Sequence, residues 1–179
     1  MRRLMLLRHA KTETSAPSGQ DHDRRLDDRG HSDAAEIGRW IGAHPPLPDG
    51  VLVSTAVRAR QTWDIAREAM RDQAPPAAVD FLDELYGAEP EQLIATIRAM
   101  VATDPKRLLL VGHNPGFHEL ALLLINHRDD AGRHALAANL PTAGLVILDF
   151  AIEDWDGIGF GRARFVNLVT PKLIRASGG

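Results

Sequence analysis

The sequence contains no cysteine, which excludes disulfide bridges, thiolate metal centres and any cysteine nucleophile. Aromatic residues make up only 5%, and the three tryptophans, Trp40, Trp63 and Trp155, are too scattered to form a stacking platform for bases. An excess of charge is missing too. With 21 basic against 24 acidic side chains the net charge is −3, so nothing global points to nucleic acid or an anionic membrane as a partner. No apolar run approaches the roughly 18 residues that a membrane span requires. The opening stretch Met1–Leu7 is basic and then apolar, but Arg8 and His9 end it too early for a secretory signal. A cytoplasmic location is the expectation.

What is present suits a single α/β domain over residues 1–179. A hydrophobic share of 44% is enough for a full core and too high for a disordered chain. Histidine occurs eight times, so a nucleophile or metal ligand is to be sought among His, Asp, Glu and Ser. Arg3–Leu7, Val51–Val53 and Leu108–Val111 read as short buried strands, and Leu145–Phe150 and Phe160–Val169 as two more. Between them, Ala34, Ile37 and Ile41 recur at helical spacing, as do Ala56, Ala59, Trp63, Ala66 and Met70, with Ser54 at the N-cap position. Pro90 opens a further helix through Leu93, Ile94 and Ile97, and another carries Phe117, Leu120 and Leu124. Pro45-Pro46 and Pro75-Pro76 break the chain between elements. Strands alternating with amphipathic helices predict a three-layer fold with a mostly parallel sheet.

Three of these strands end in polar residues: Arg8-His9, Ser54 with Arg58, and Gly112-His113. Ligands of parallel α/β sheets bind beyond the carboxyl ends of the strands, so these side chains are expected to converge on one crevice. Arginine stays charged, and its planar fork matches phosphate oxygens two at a time. Arg8, Arg58 and His113 would clamp a phosphoryl group. A neutral His9 could attack phosphorus, and a carboxyl such as Glu84 could protonate the departing group. Such a site needs no metal, because fixed positive side chains supply the electrostatic stabilisation.

Taken singly, each residue has a plainer reading. His9 and His113 could be polar ends of core strands, Arg58 a solvated helix residue, and Glu84 one of several surface carboxylates with Asp80 and Asp83. Two other functions compete with catalysis by His9. A metal-dependent phosphohydrolase would draw on Asp149, Asp154 and nearby histidines as hard ligands. A non-catalytic phospholigand-binding module would keep the clamp without turnover. His118 follows His113 by five residues, which is the wrong spacing for two ligands on one helix face, and His22, His44, His127 and His134 lie in polar stretches expected to be exposed.

Leu6-Leu7-Arg8-His9-Ala10-Lys11-Thr12 resembles the Arg-His-Gly signature that opens the histidine phosphatase (phosphoglycerate-mutase-like) superfamily. Ser54–Thr62 resembles its second motif, Val111-Gly112-His113-Asn114 its third, and Leu82-Asp83-Glu84 with Tyr86-Gly87 the segment that holds the general acid. The short chain resembles the SixA-type phosphohistidine phosphatase branch, and Asp23-Arg24-Arg25-Leu26 before Gly30 matches that branch's compact connection. Ala10 stands where the broader signature has glycine, which argues against a sugar-phosphate mutase.

The resemblance implies His9 as nucleophile, with Arg8, Arg58 and His113 binding the phosphoryl group and Glu84 donating the proton. Thr12 and either Arg24 or Arg25 would add phosphate contacts; Arg25 is the one carried into the expected site. It further implies no cofactor and no metal, a monomer, and a phosphorylated substrate, either a phosphohistidine-bearing protein or a small phosphorylated molecule.

Overall fold

The computed structural model describes residues 1–70 and 78–178; the predicted break at Pro75-Pro76 lies outside them. The strands are β1 (Arg2–Arg8), β2 (Gly50–Ser54), β3 (Ala78–Leu82), β4 (Arg107–Gly112), β5 (Leu145–Phe150) and β6 (Ala163–Val169). They form one sheet in the order β3-β2-β4-β1-β5-β6. β1 to β4 run parallel, and β5 is antiparallel to both of its neighbours. The helices are α1 (Asp28–Ala43), α2 (Val57–Met70), α3 (Pro90–Arg98), α4 (Gly116–Leu124), α5 (Asp130–Ala135) and α6 (Pro171–Ser177). The three-layer, mostly parallel α/β architecture is the one that the alternating pattern predicts.

Side chains alternate across the central strands and so feed two cores. Leu4 and Leu6 of β1, with Leu108 and Leu110 of β4, pack against Phe117, Leu120 and Leu93 of α3 and α4. Met5, Leu7, Leu109 and Val111 point the other way, against Ile37 of α1 and Trp63 of α2. Burying a side chain such as Ile37 contributes about 1.5–3 kcal/mol. α1 and α2 approach closely because Gly38 has no Cβ; one added there would lie 2.3 Å from the Ala66 carbonyl oxygen.

The structure differs from expectation at three points. β3 is a full strand at the sheet edge, although its exposed Asp80 and Phe81 hide the usual buried pattern. β6 begins at Ala163, because Gly161 adopts φ +72 and turns the chain before pairing starts. Ser54 is the buried last residue of β2 and not a helix cap; two residues separate it from α2.

Candidate active site

Sheet register brings the chemistry together. Leu7 pairs with Val111 and Arg8 with Gly112 across β1 and β4, while Val53 of β2 pairs with Val111. The three strands therefore end side by side, with Arg8-His9, Gly112-His113 and Ser54 at one edge of the crevice. The His9 backbone is fixed on both sides: its N–H donates to the Gly112 carbonyl at 2.9 Å, and its carbonyl accepts from Ala143 N–H at 3.1 Å. Ala143 adopts φ +56, a left-handed conformation costing a non-glycine residue about 1 kcal/mol. The next residue, Ala10, is fully buried and donates its N–H to Thr62 Oγ1 at 3.0 Å, and Thr62 Oγ1 donates to the Arg58 carbonyl at 2.7 Å. One buried threonine thus couples the loop after β1 to the first turn of α2.

The two histidines are buried, with ring centroids 5.3 Å apart. His9 Nδ1 lies 2.8 Å from the Ala10 carbonyl oxygen, which can only accept, so Nδ1 carries the proton and Nε2 the free lone pair. Burial, reinforced by the charges of Arg58, Arg8 and Arg24, lowers the His9 pKa to about 4. His113 Nε2 is 2.7 Å from Ser54 Oγ. Burial, followed by His9 and Arg58, lowers its pKa to about 3. Both rings are neutral at pH 7. Ser54 Oγ already accepts from the Ala56 N–H at 3.3 Å, and its own proton finds its acceptor in His113 Nε2, which leaves the His113 proton on Nδ1.

The cations frame these rings. Arg8 Nη1 donates to the Leu140 carbonyl at 2.9 Å, the same oxygen that accepts from Asn114 Nδ2 at 2.8 Å. Arg58 Nη1 and Nη2 donate to the Asp21 carbonyl at 2.7 Å and to Asp21 Oδ2 at 2.9 Å. Asp21 also accepts from Tyr86 OH at 2.7 Å and from Arg24 Nη1 at 3.0 Å. Those donors, Tyr86 foremost, hold its carboxyl well below the usual carboxylate range, and the same hydrogen bond raises the Tyr86 pKa. Burial, then the Arg58 charge, lowers the pKa of Arg8. Arg8 Nε, Arg58 Nε and His113 Nδ1 are buried and have no hydrogen-bond partner among the described residues. Buried donors are rarely left unmade, so this cluster is shaped for an acceptor-rich anion.

Arg8, His9, Arg58 and His113 therefore gather as the sequence predicts. Thr12 joins at the edge, its hydroxyl accepting from Arg24 Nη2. Between the two adjacent arginines, it is Arg24 whose charge acts on His9. Arg25, carried into the expected site, is instead exposed and lines a separate hollow with Pro17, Ser18, Asp23 and Val57. The antiparallel bridge between Thr12 and Leu26 alternates the side chains and turns it away. Glu84 is exposed on the short 3-10 turn Asp83–Leu85 and makes no side-chain hydrogen bond among the described residues. Its neighbour Asp83 accepts from the Thr55 hydroxyl, which accepts in turn from His22 Nε2 at 3.1 Å. His22, expected to be exposed, is half-buried with its ring 5.0 Å from Tyr86.

The sequence reading misses Asp21 and the Leu140 carbonyl, and it names Tyr86 only within the segment that resembles the general-acid motif. A carbonyl has no side-chain signal, and Asp21 is one of several acids in a polar loop. At the far end of the sheet both Asp149 oxygens are taken, by Arg3 at 2.8 and 2.9 Å and by Arg164 at 3.0 Å. No group of three or more His, Asp or Glu side chains suited to a metal occurs among the described residues, so the Asp149–Asp154 alternative finds no ligand set. No helix of the described residues is long and apolar enough to cross a membrane.

Comparison with known proteins sets this geometry in context. The model of the histidine phosphatase superfamily (branch 1) matches residues 4–116. An uncharacterized protein of Mycobacterium tuberculosis is 36% identical over 169 residues, covering 93% of this chain and all of that protein. A crystal structure from Agrobacterium tumefaciens, provisionally assigned as phosphohistidine phosphatase SixA, is 32% identical with a TM-score of 0.77, covering 95% of this chain and 99% of that one. A SixA protein histidine phosphatase solved with tungstate shares the fold at 18% identity and a TM-score of 0.77, over 96% of this chain and 99% of its own.

Proposed function

The chain belongs to the histidine phosphatase superfamily, branch 1, and on that premise we propose that it is a metal-independent phosphatase working through a phosphohistidine intermediate on His9. The observation that carries the proposal is the set of three unpartnered donors, Arg8 Nε, Arg58 Nε and His113 Nδ1, around a neutral His9 with a free Nε2 lone pair. A phosphoryl group accepts from all three donors. His9 Nε2 attacks phosphorus in line, the P–N bond forms as the bond to the leaving group breaks, and Nδ1–H stays on the Ala10 carbonyl. The leaving group takes a proton from Glu84, the exposed acid two residues before Tyr86. Water then attacks phosphorus and gives a proton to the Glu84 carboxylate, the P–N bond breaks, and inorganic phosphate leaves a neutral His9 and a reprotonated Glu84. Fixed guanidinium charges and the His113 N–H stabilise the transferring group without reorganising.

The substrate is a phosphorylated protein side chain, phosphohistidine in particular, or a small phosphorylated molecule. The named Agrobacterium neighbour supports the first choice. The test is hydrolysis of an aryl phosphate in excess EDTA by wild type and by His9→Ala. Activity that survives the chelator and falls by three orders of magnitude or more in the variant is expected. Activity lost to EDTA, or kept by His9→Ala, overturns the mechanism. Tight phosphate binding without turnover of any phosphorylated substrate identifies a binding module instead.

A further inference from the structure

Tyr86, the one tyrosine of the chain, is 38% exposed, an unusual position for a ring so firmly held. Its ring stands edge-on to His113 at 5.5 Å and to His22 at 5.0 Å, with the Arg58 guanidinium 5.7 Å from its centroid. Its hydroxyl is tied to Asp21. Gly87, at φ +66, supplies the left-handed turn that follows the ring. Next to it a hollow of about 250 Å³ runs from Gly87 past His113 and Gly116 to Glu89 and Glu119; Tyr86 itself does not line it. An aromatic ring is thus fixed beside two groups assigned to phosphate, with part of its surface exposed.

We propose that Tyr86 is a specificity-determining residue that selects a planar leaving group, a conjugated ring bonded to the phosphoryl group, by packing against it. The inference rests on the phosphatase reading and deepens it. The shared chemistry is a flat ring, whether the imidazole of a phosphoramidate or the phenyl of an aryl ester. A ring held in place by four contacts loses little freedom when a second ring packs on it, so the contact strengthens binding at small entropic cost. An alkyl chain offers no matching flat surface.

The test separates selection from catalysis by measuring affinity first. Phenylphosphonate and methylphosphonate, which are not hydrolysed, are titrated into wild type, Tyr86→Phe and Tyr86→Leu. Wild type should prefer the phenyl compound by about fivefold to tenfold. Tyr86→Phe should keep that preference and Tyr86→Leu should lose it. An equal preference in wild type and Tyr86→Leu overturns the inference, as does its loss in Tyr86→Phe, which would assign the effect to the hydroxyl on Asp21. Turnover of N-phosphoimidazole, phenyl phosphate and ethyl phosphate then distinguishes the ring sources. If wild type hydrolyses none of them, the phosphatase reading fails, and the phosphonate ratio still decides the role of Tyr86.

Discussion

Lowering the pH from 7 to 5 separates this site from one built on an ordinary histidine. An imidazole at its ordinary value of 6.5 would be only about 3% neutral at pH 5, and nucleophilic attack would fall in proportion. With its pKa lowered to about 4, mainly by burial, His9 is still about 90% neutral at that pH, a difference of about 30-fold. His113, lowered to about 3, stays neutral as well. The assay is kcat/KM for a nitrophenyl phosphate, whose leaving group needs no proton from Glu84; it reports ionisations of the free enzyme and is referred to the concentration of the dianion, because phosphate monoesters titrate near 6. The corrected profile should be flat from pH 7 to 5 and fall only toward pH 4. Stability moves in the opposite sense to this tolerance. Because both folded pKa values lie below the unfolded one, the unfolded chain binds the extra protons, and stability is lost as pH falls below about 6.5. The loss is about 2 kcal/mol per histidine by pH 5. Far-ultraviolet circular dichroism at each pH keeps unfolding apart from titration. A midpoint near 6.5 in the corrected profile of a folded protein refutes the reasoning, because it would mean that His9 is not desolvated.

Other perturbations probe the scaffold and the ligand. Thr62→Val keeps the side-chain volume but strands the Ala10 N–H in a fully buried place, while the Arg58 carbonyl keeps its backbone bond within α2; urea unfolding should show a loss of about 1–3 kcal/mol. Inorganic phosphate at a hundred times its Kd should raise stability by about 2.7 kcal/mol. Thermal melts should show this in wild type and a smaller rise in Arg8→Ala at the same phosphate concentration. Glu84→Gln should slow an alkyl phosphate by about tenfold to a hundredfold while leaving a nitrophenyl ester, whose leaving group needs no proton, within threefold. Equal loss on both substrates would place the proton donor elsewhere.

The fold was legible because burial leaves a periodic mark. Leu4, Leu6, Leu108 and Leu110 had to face one core and Met5, Leu7, Leu109 and Val111 the other, so both strands read as continuous apolar runs. β3 escaped because an edge strand with exposed Asp80 and Phe81 lacks that mark.

The candidate site divides along the same line. Arg8, His9, Arg58 and His113 stood out because each follows a buried run closely, and strand ends of a parallel sheet share one side. Sequence alone therefore determined the three-layer plan and the residue types at the crevice. Tertiary structure alone decided which side chains act on one another. Register placed Gly112 beside Arg8, the alternation between Thr12 and Leu26 chose Arg24 over Arg25, and loops far apart in the chain delivered Asp21, Tyr86 and the Leu140 carbonyl. Such pairings depend on distances between segments that no local pattern encodes. The tautomer of His9 and the depressed pKa values of both histidines follow from burial and hydrogen bonding that exist only once the chain is folded.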